Sequence, residues 1–346
     1  MRIITCAGYY RTGSSAITDY LSEFEGCKSF GVHEFRFLQD PDGVTSLEMN
    51  IIEHPHRHNT SHAIKRFIKY SKFENGNILS KRYRKFFGDE YWKLTKKYVD
   101  EITKVQCDSV WRYDKIERGE LFYMINKVFE VVSEKINKGK RFTLLFFNHE
   151  QGFFTDISKE DFYAATKRYT SALFSKAAAD SEYLIVDQLA APTEAQRYLN
   201  YVDDMYIFIV DRDPRDLFIL ESEAKWGVIP YKKVEDFCEW YRITRKHRSI
   251  DQNDPSRVMF VQFEDLVYEY EATTERIRKL IGLDPSKHVS PKMKLDPAKS
   301  KRGTNLVNVY PQYKEQVKYI EEHLPEYLYD FSGYELNFEH PEVFNK

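Results

Sequence analysis

The sequence predicts an α/β fold in which a parallel central sheet is flanked by helices and carries a helical insertion. Three observations predict it. A short apolar run at residues 2–7 leads into a glycine-bounded loop and then an amphipathic helix. Further apolar runs of strand length recur along the chain between segments of helical period, and this alternation builds parallel sheets. Between about residues 50 and 140 the pattern changes to long, Lys-rich and Tyr-rich helical segments, which read as an insertion.

Taken in order, the loop after the first strand runs from Gly8 to Gly13. The helix that follows carries an apolar stripe of Ala16, Ile17, Tyr20, Leu21 and Phe24, whose spacings of three and four lay one face on the sheet. Buried strands are expected at residues 142–147, 183–186, 206–210 and 258–263. Helices are expected at 193–199, 271–281 and 313–323, and within the insertion at 91–104 and 121–136. The Pro-, Lys- and Ser-rich stretch 284–305 lacks periodicity and reads as a functional loop. No internal repeat is visible, so all 346 residues are expected to form one domain carrying the insertion.

Composition narrows the classes. A formal net charge of -2 provides no basic field, and no nucleic-acid partner is expected. No apolar stretch approaches the roughly 18 residues of a membrane span, and the first residues lack a signal-peptide core. No membrane insertion and a cytoplasmic location are therefore expected. Cys6, Cys27, Cys107 and Cys238 have no CxxC spacing, which argues against a zinc site or a disulfide framework. Aromatic residues make up 16% of the chain, with 25 Tyr and 25 Phe, enough to contribute heavily to the core and to a ligand cleft. His54, His56, His58 and His62 fall in a polar stretch without a regular frame and read as loop histidines rather than a metal set.

The first loop carries the chemistry. From Gly8 through Gly13 to Ser15 it has the length of a nucleoside-triphosphate phosphate loop, but Ser14 stands where that motif places its lysine. The cation comes earlier, at Arg11. Backbone N–H groups of residues 12–15 and the serine hydroxyls suit a phospho-anion, whereas a simple helix cap at Ser14 or Ser15 is the alternative use of the same residues.

At these positions the chain resembles the sulfotransferase superfamily, whose 5'-phosphosulfate loop has Lys or Arg, then Ser or Thr, Gly and two hydroxyl residues. Arg11, Thr12, Gly13, Ser14 and Ser15 fill those slots. A second match is Asp211-Arg212-Asp213-Pro214-Arg215-Asp216, similar to the segment in which the first arginine, here Arg212, pairs with a 3'-phosphate. The chain departs from the pattern eight residues later, where the expected serine is Leu220; Ser222 or Lys225 is then the nearest substitute. The strand at 258–263 followed by Glu264-Asp265-Leu266 resembles the family's late strand and speaks to fold, with Glu264 and Asp265 expected in structural hydrogen bonds. Lys301, Arg302 and Gly303 resemble the basic loop that closes over the nucleotide near the family's C-terminus.

The resemblance implies a P-loop NTPase-like arrangement and a transferase that moves a sulfuryl group from 3'-phosphoadenosine 5'-phosphosulfate (PAPS) to an acceptor hydroxyl, leaving 3',5'-ADP (PAP). Arg11 would stabilise the charge growing on the leaving phosphate oxygen. No metal is implied, since the transferring group is less negative than a phosphoryl group. The acceptor needs a base. Residues 33–37, His33-Glu34-Phe35-Arg36-Phe37, resemble a segment of certain glycosaminoglycan sulfotransferases that makes Glu34 the base. Asp187 lies where cytosolic members keep a histidine, and His33 ranks third. The acceptor partner is expected to be a hydroxyl-bearing small molecule or glycan, with carbohydrate placed before a sterol or other lipophilic alcohol. Two other readings stay open: a P-loop kinase or NTPase, which needs a lysine at position 14, and a non-catalytic anion-binding module. Nothing in the sequence sets the oligomeric state.

Overall fold

A computed structural model describes residues 1–31, 33–77, 79–109, 112–136, 151–178, 180–246 and 253–341. The chain divides into two compact units, residues 1–39 with 170–346, and residues 40–169.

The first unit is built on five parallel strands. β1 (Arg2–Gly8), β2 (Cys27–Ser29), β3 (Tyr183–Ile185), β4 (Met205–Asp211) and β5 (Val258–Gln262) lie in the order β2-β3-β1-β4-β5. β1 is central, and its inner residues Ile3 to Ala7 are all buried, as is every residue of β4. Such continuous apolar runs are what a parallel sheet covered on both faces requires. Ile4 sits opposite Ile185 on one side and Tyr206 on the other, and Gly8 pairs with Val210. The loops after β1, β3 and β4 therefore leave the same carboxyl edge. Beyond β1 the chain first builds one side of the sheet and later the other, so this edge is the switch point where open parallel sheets place their crevice.

Helix α1 (Ser15–Leu21) packs Ala16, Ile17, Tyr20 and Leu21 against Tyr183, Phe208 and Val261. Phe24, expected on the same helix, lies past its end; the chain leaves the helix at Ser22, and the ring still joins that core. α2 (Pro214–Ala224) starts at a cap that the sequence spells out, with the Asp213 carboxylate accepting the Arg215 N–H and proline at the first turn. α3 (Val234–Arg245), α4 (Tyr270–Ile281) and α5 (Lys314–His323) follow. Leu217 and Phe218 of α2, Phe237 and Tyr241 of α3 and Ile320 of α5 share a second cluster. Strand β2 was not expected, because three residues, none of them buried, carry no apolar run.

The second unit holds helices Arg57–Asn75, Glu90–Ile102 and Glu120–Ile136, and an antiparallel pair formed by Val105–Asp108 and Gln151–Phe154. That pair was not expected either, since Val105–Asp108 is only four residues long and all four are exposed. The expected strand at 142–147 lies outside the described residues. Tyrosine builds much of this unit's interior: Tyr98 stacks on Tyr169 at 4.8 Å, and the Tyr98 and Tyr169 hydroxyls share hydrogen bonds of 2.8 Å with Thr166 and Thr95. A good part of the aromatic surplus is thus spent on packing. Among the described residues, no helix is long and apolar enough to cross a membrane.

Candidate functional site

A cleft of about 1030 Å³ opens at the carboxyl edge of the sheet, entirely within the first unit. Gly8, Arg11, Gly13, Ser14 and Ser15 line it from the first loop, Asp187 and Gln188 from the end of β3, Arg212 from the end of β4, and Glu34, Arg36 and Gln39 from the segment after β2. Its aromatic wall is Tyr9, Tyr10, Trp226 and Phe263.

The first loop is held by its own residues. Thr12, taken from sequence as a ligand contact, is buried, and its hydroxyl donates to the Val210 carbonyl at 2.7 Å while accepting the Tyr9 N–H at 3.2 Å. Its side chain ties the loop to β4, and only its backbone is left for a ligand. Both bounding glycines are required by close approach: a Cβ at Gly8 would stand 2.7 Å from the Thr12 hydroxyl, and one at Gly13, where φ is +87°, would stand 2.5 Å from the Phe263 ring. Ser14 makes no capping bond to α1. Its hydroxyl instead accepts a hydrogen bond from Gln188 Nε2 at 2.9 Å.

Arg11 sits in left-handed backbone at φ 56° with its guanidinium over the Trp226 ring. Its Nε lies 3.7 Å from Glu221 Oε2, a fully buried carboxylate on α2. The other oxygen of Glu221 accepts the Gly227 N–H at 2.6 Å, so one buried acid orients both the cation and the turn that carries Trp226. Neither Glu221 nor Trp226 carried any signal in the sequence beyond its residue type.

The charged segment after β4 divides into two jobs. Asp213 and Arg215 are architectural: Arg215 pairs with Asp213 at 2.7 Å and with Glu321 at 3.0 Å. Arg212 faces the cleft. It is 7% exposed, lies 4.4 Å over the Phe263 ring, donates through Nη2 to the Gly303 carbonyl, and leaves its buried Nε without a hydrogen-bond partner. Burial lowers its pKa, while Asp216, Glu264 and Asp213 act to keep it charged. A buried guanidinium N–H with no acceptor fits an anion at this spot. Behind it, the fully buried Arg245 grips Asp211 at 2.6 and 3.2 Å and stacks 4.5 Å from Tyr9, fixing the end of β4 beside the loop.

The acidic pair sits across the cleft. Asp187 is 7% exposed, and its carboxyl is pushed up to about 7, first by burial and then by the neighbouring Glu34, while the Gln188 N–H opposes the shift. The two segments are joined by the Phe35 N–H donating to the Asp187 carbonyl at 2.9 Å. Glu34 is half exposed and pairs with Arg36 at 3.6 Å. His33 is not among the described residues that line the cleft; its ring packs 4.6 Å from Phe35.

Three other expected contacts lie elsewhere. Lys301 and Arg302 turn to Glu335 and Glu339 of the C-terminal segment, each at 2.8 Å, rather than into the cleft. Gly303 alone of that trio meets Arg212, closely enough that a Cβ there would stand 2.8 Å from the guanidinium. Ser222 is buried with an unpartnered hydroxyl but does not line the cleft, and it is Leu220 that does. Glu264 and Asp265 make structural hydrogen bonds, with Asp213 N and the Tyr329 hydroxyl. His56 caps its helix by accepting the His58 N–H, and no described group of three or more His, Cys, Asp or Glu is gathered as a metal site.

Compared with known proteins, the chain matches no family model and no curated sequence.

Proposed function

We propose that this protein is a PAPS-dependent sulfotransferase with a P-loop NTPase-like core. The observation that carries the reading is the meeting in one cleft of Arg11, on a phosphate-type loop whose lysine position is Ser14, with the buried Arg212 and the acid Asp187. Two guanidinium groups on neighbouring strand ends suit the two separated anionic groups of such a nucleotide, and an acid across from them suits an acceptor hydroxyl.

Bound at the loop, the donor would supply an activated sulfuryl group. The acceptor oxygen bonds to sulfur, the bond from sulfur to the phosphate oxygen breaks, and PAP departs with that oxygen. Arg11 and the N–H groups of residues 12–15 face the charge that grows there. Arg212, with its unpartnered Nε, would hold the 3'-phosphate. Asp187 takes the acceptor proton; a carboxyl near pH 7 is far better matched to that task than an ordinary aspartate, so we place it ahead of Glu34, with Glu34 orienting the acceptor beside it. Glu34, Arg36 and Gln39 give the acceptor side several hydrogen-bonding groups, which favours a carbohydrate over a sterol.

Incubation with sulfur-labelled PAPS and a panel of sugars and sterols tests the reading. Label is expected on a sugar hydroxyl, with undiminished rate in EDTA. Transfer of phosphate from Mg-ATP with no transfer from PAPS would overturn it.

A further inference from the structure

Consecutive side chains of an extended strand point to opposite faces, yet Asp187 and Gln188, which follow Val186 just past the end of β3, both line the cleft. The turn that allows this is Gln188 itself, in left-handed backbone at φ 56°. It is anchored on three sides: its N–H donates to the Cys6 carbonyl at 3.0 Å and meets Asp187 Oδ1 at 3.1 Å, and its carbonyl accepts from Gln39 Nε2 at 2.5 Å. A non-glycine residue is held in a costly conformation here, and its side chain reaches one target, Ser14 Oγ at 2.9 Å.

A serine hydroxyl has two acceptor lone pairs and a single proton. With the Gln188 amide donating to Ser14 Oγ, that proton must be given elsewhere. We infer that Gln188 is a positioning residue that commits the Ser14 hydroxyl to donate into the cleft, toward a bound phosphate or sulfate oxygen. One strained turn then serves both halves of the reaction, with Asp187 toward the acceptor and Gln188 toward the anion loop. The inference rests on reading the loop from Gly8 to Ser15 as the anion cradle.

A double-mutant cycle on the full chain tests it, with calorimetric affinities for PAP and for inorganic pyrophosphate. Gln188→Met keeps the length of the side chain and removes the donor. It is expected to weaken binding by about three- to tenfold when Ser14 is present, the scale of one ordinary neutral hydrogen bond, and to have no effect in a Ser14→Ala background. If the Met variant does not fold, Gln188→Gly, which eases the left-handed backbone, completes the same cycle. Equal losses in both backgrounds, or no loss with Ser14 present, would overturn the inference. Parent protein that binds pyrophosphate but not PAP overturns the PAPS reading and leaves the cycle to be read with pyrophosphate; binding neither overturns both.

Discussion

Arg11→Ala is expected to lower kcat by about 10²- to 10³-fold, the usual loss when one preorganised donor to a developing charge is removed. Arg11, Arg36 and Arg212 are the cations that line the described cleft, and Arg11 alone belongs to the phosphate-type loop. Its guanidinium is pre-set by Glu221 and Trp226, so the charge costs little reorganisation when it is needed. PAP binding should fall far less than kcat, because Arg212 and the loop N–H groups stay in place. Arg11→Lys should recover only part of the loss, since an ammonium has no planar face to lay over Trp226. Full activity in Arg11→Ala at saturating donor would remove Arg11 from the chemistry.

Asp187→Asn is the second large effect, a loss of about 10²- to 10⁴-fold from removal of the base. The parent rate should rise about tenfold per pH unit up to about 7 and then level, because only the ionised carboxylate accepts a proton. The same group makes folding depend on pH with a definite sign. Its folded pKa is raised from 3.8 to about 7, so its favourable contribution is complete below the unfolded value and is lost as pH rises through the folded one. Asp187→Asn should therefore be more heat-stable than the parent at pH 8, with an advantage that shrinks as pH falls toward 4. A pH-independent rate between 5 and 8, or an Asn variant with no stability gain at pH 8, would contradict Asp187 as the base.

The strand-loop-helix that opens the chain was legible because three independent signals agree there: a buried apolar run, glycines at fixed separation and a helical stripe. β4 was legible because it is buried throughout, and β5, though at the sheet's edge, because its run is apolar. β2 and the exposed Val105–Asp108 strand were not, because short edge strands need no apolar pattern. In the site, Arg11, Ser14, Asp187 and Arg212 announced themselves as charged or hydroxyl residues at strand ends. Their supports did not. Glu221 and Gln188 act through pairs 210 and 174 positions apart, and a left-handed non-glycine turn leaves no mark on a sequence. Lys301 and Arg302 show the converse limit: a basic run says nothing of Glu335 and Glu339, which take up its charges. Thr12 shows a third limit, since a hydroxyl that fits a ligand motif is equally able to close the loop.

The most direct measurement is calorimetric binding of PAP against Mg-ATP to the full chain. Saturable binding of PAP in EDTA, strongly weakened in Arg212→Ala and accompanied by no binding of Mg-ATP, is the result expected of a PAPS site. Tight binding of Mg-ATP with none of PAP would contradict it.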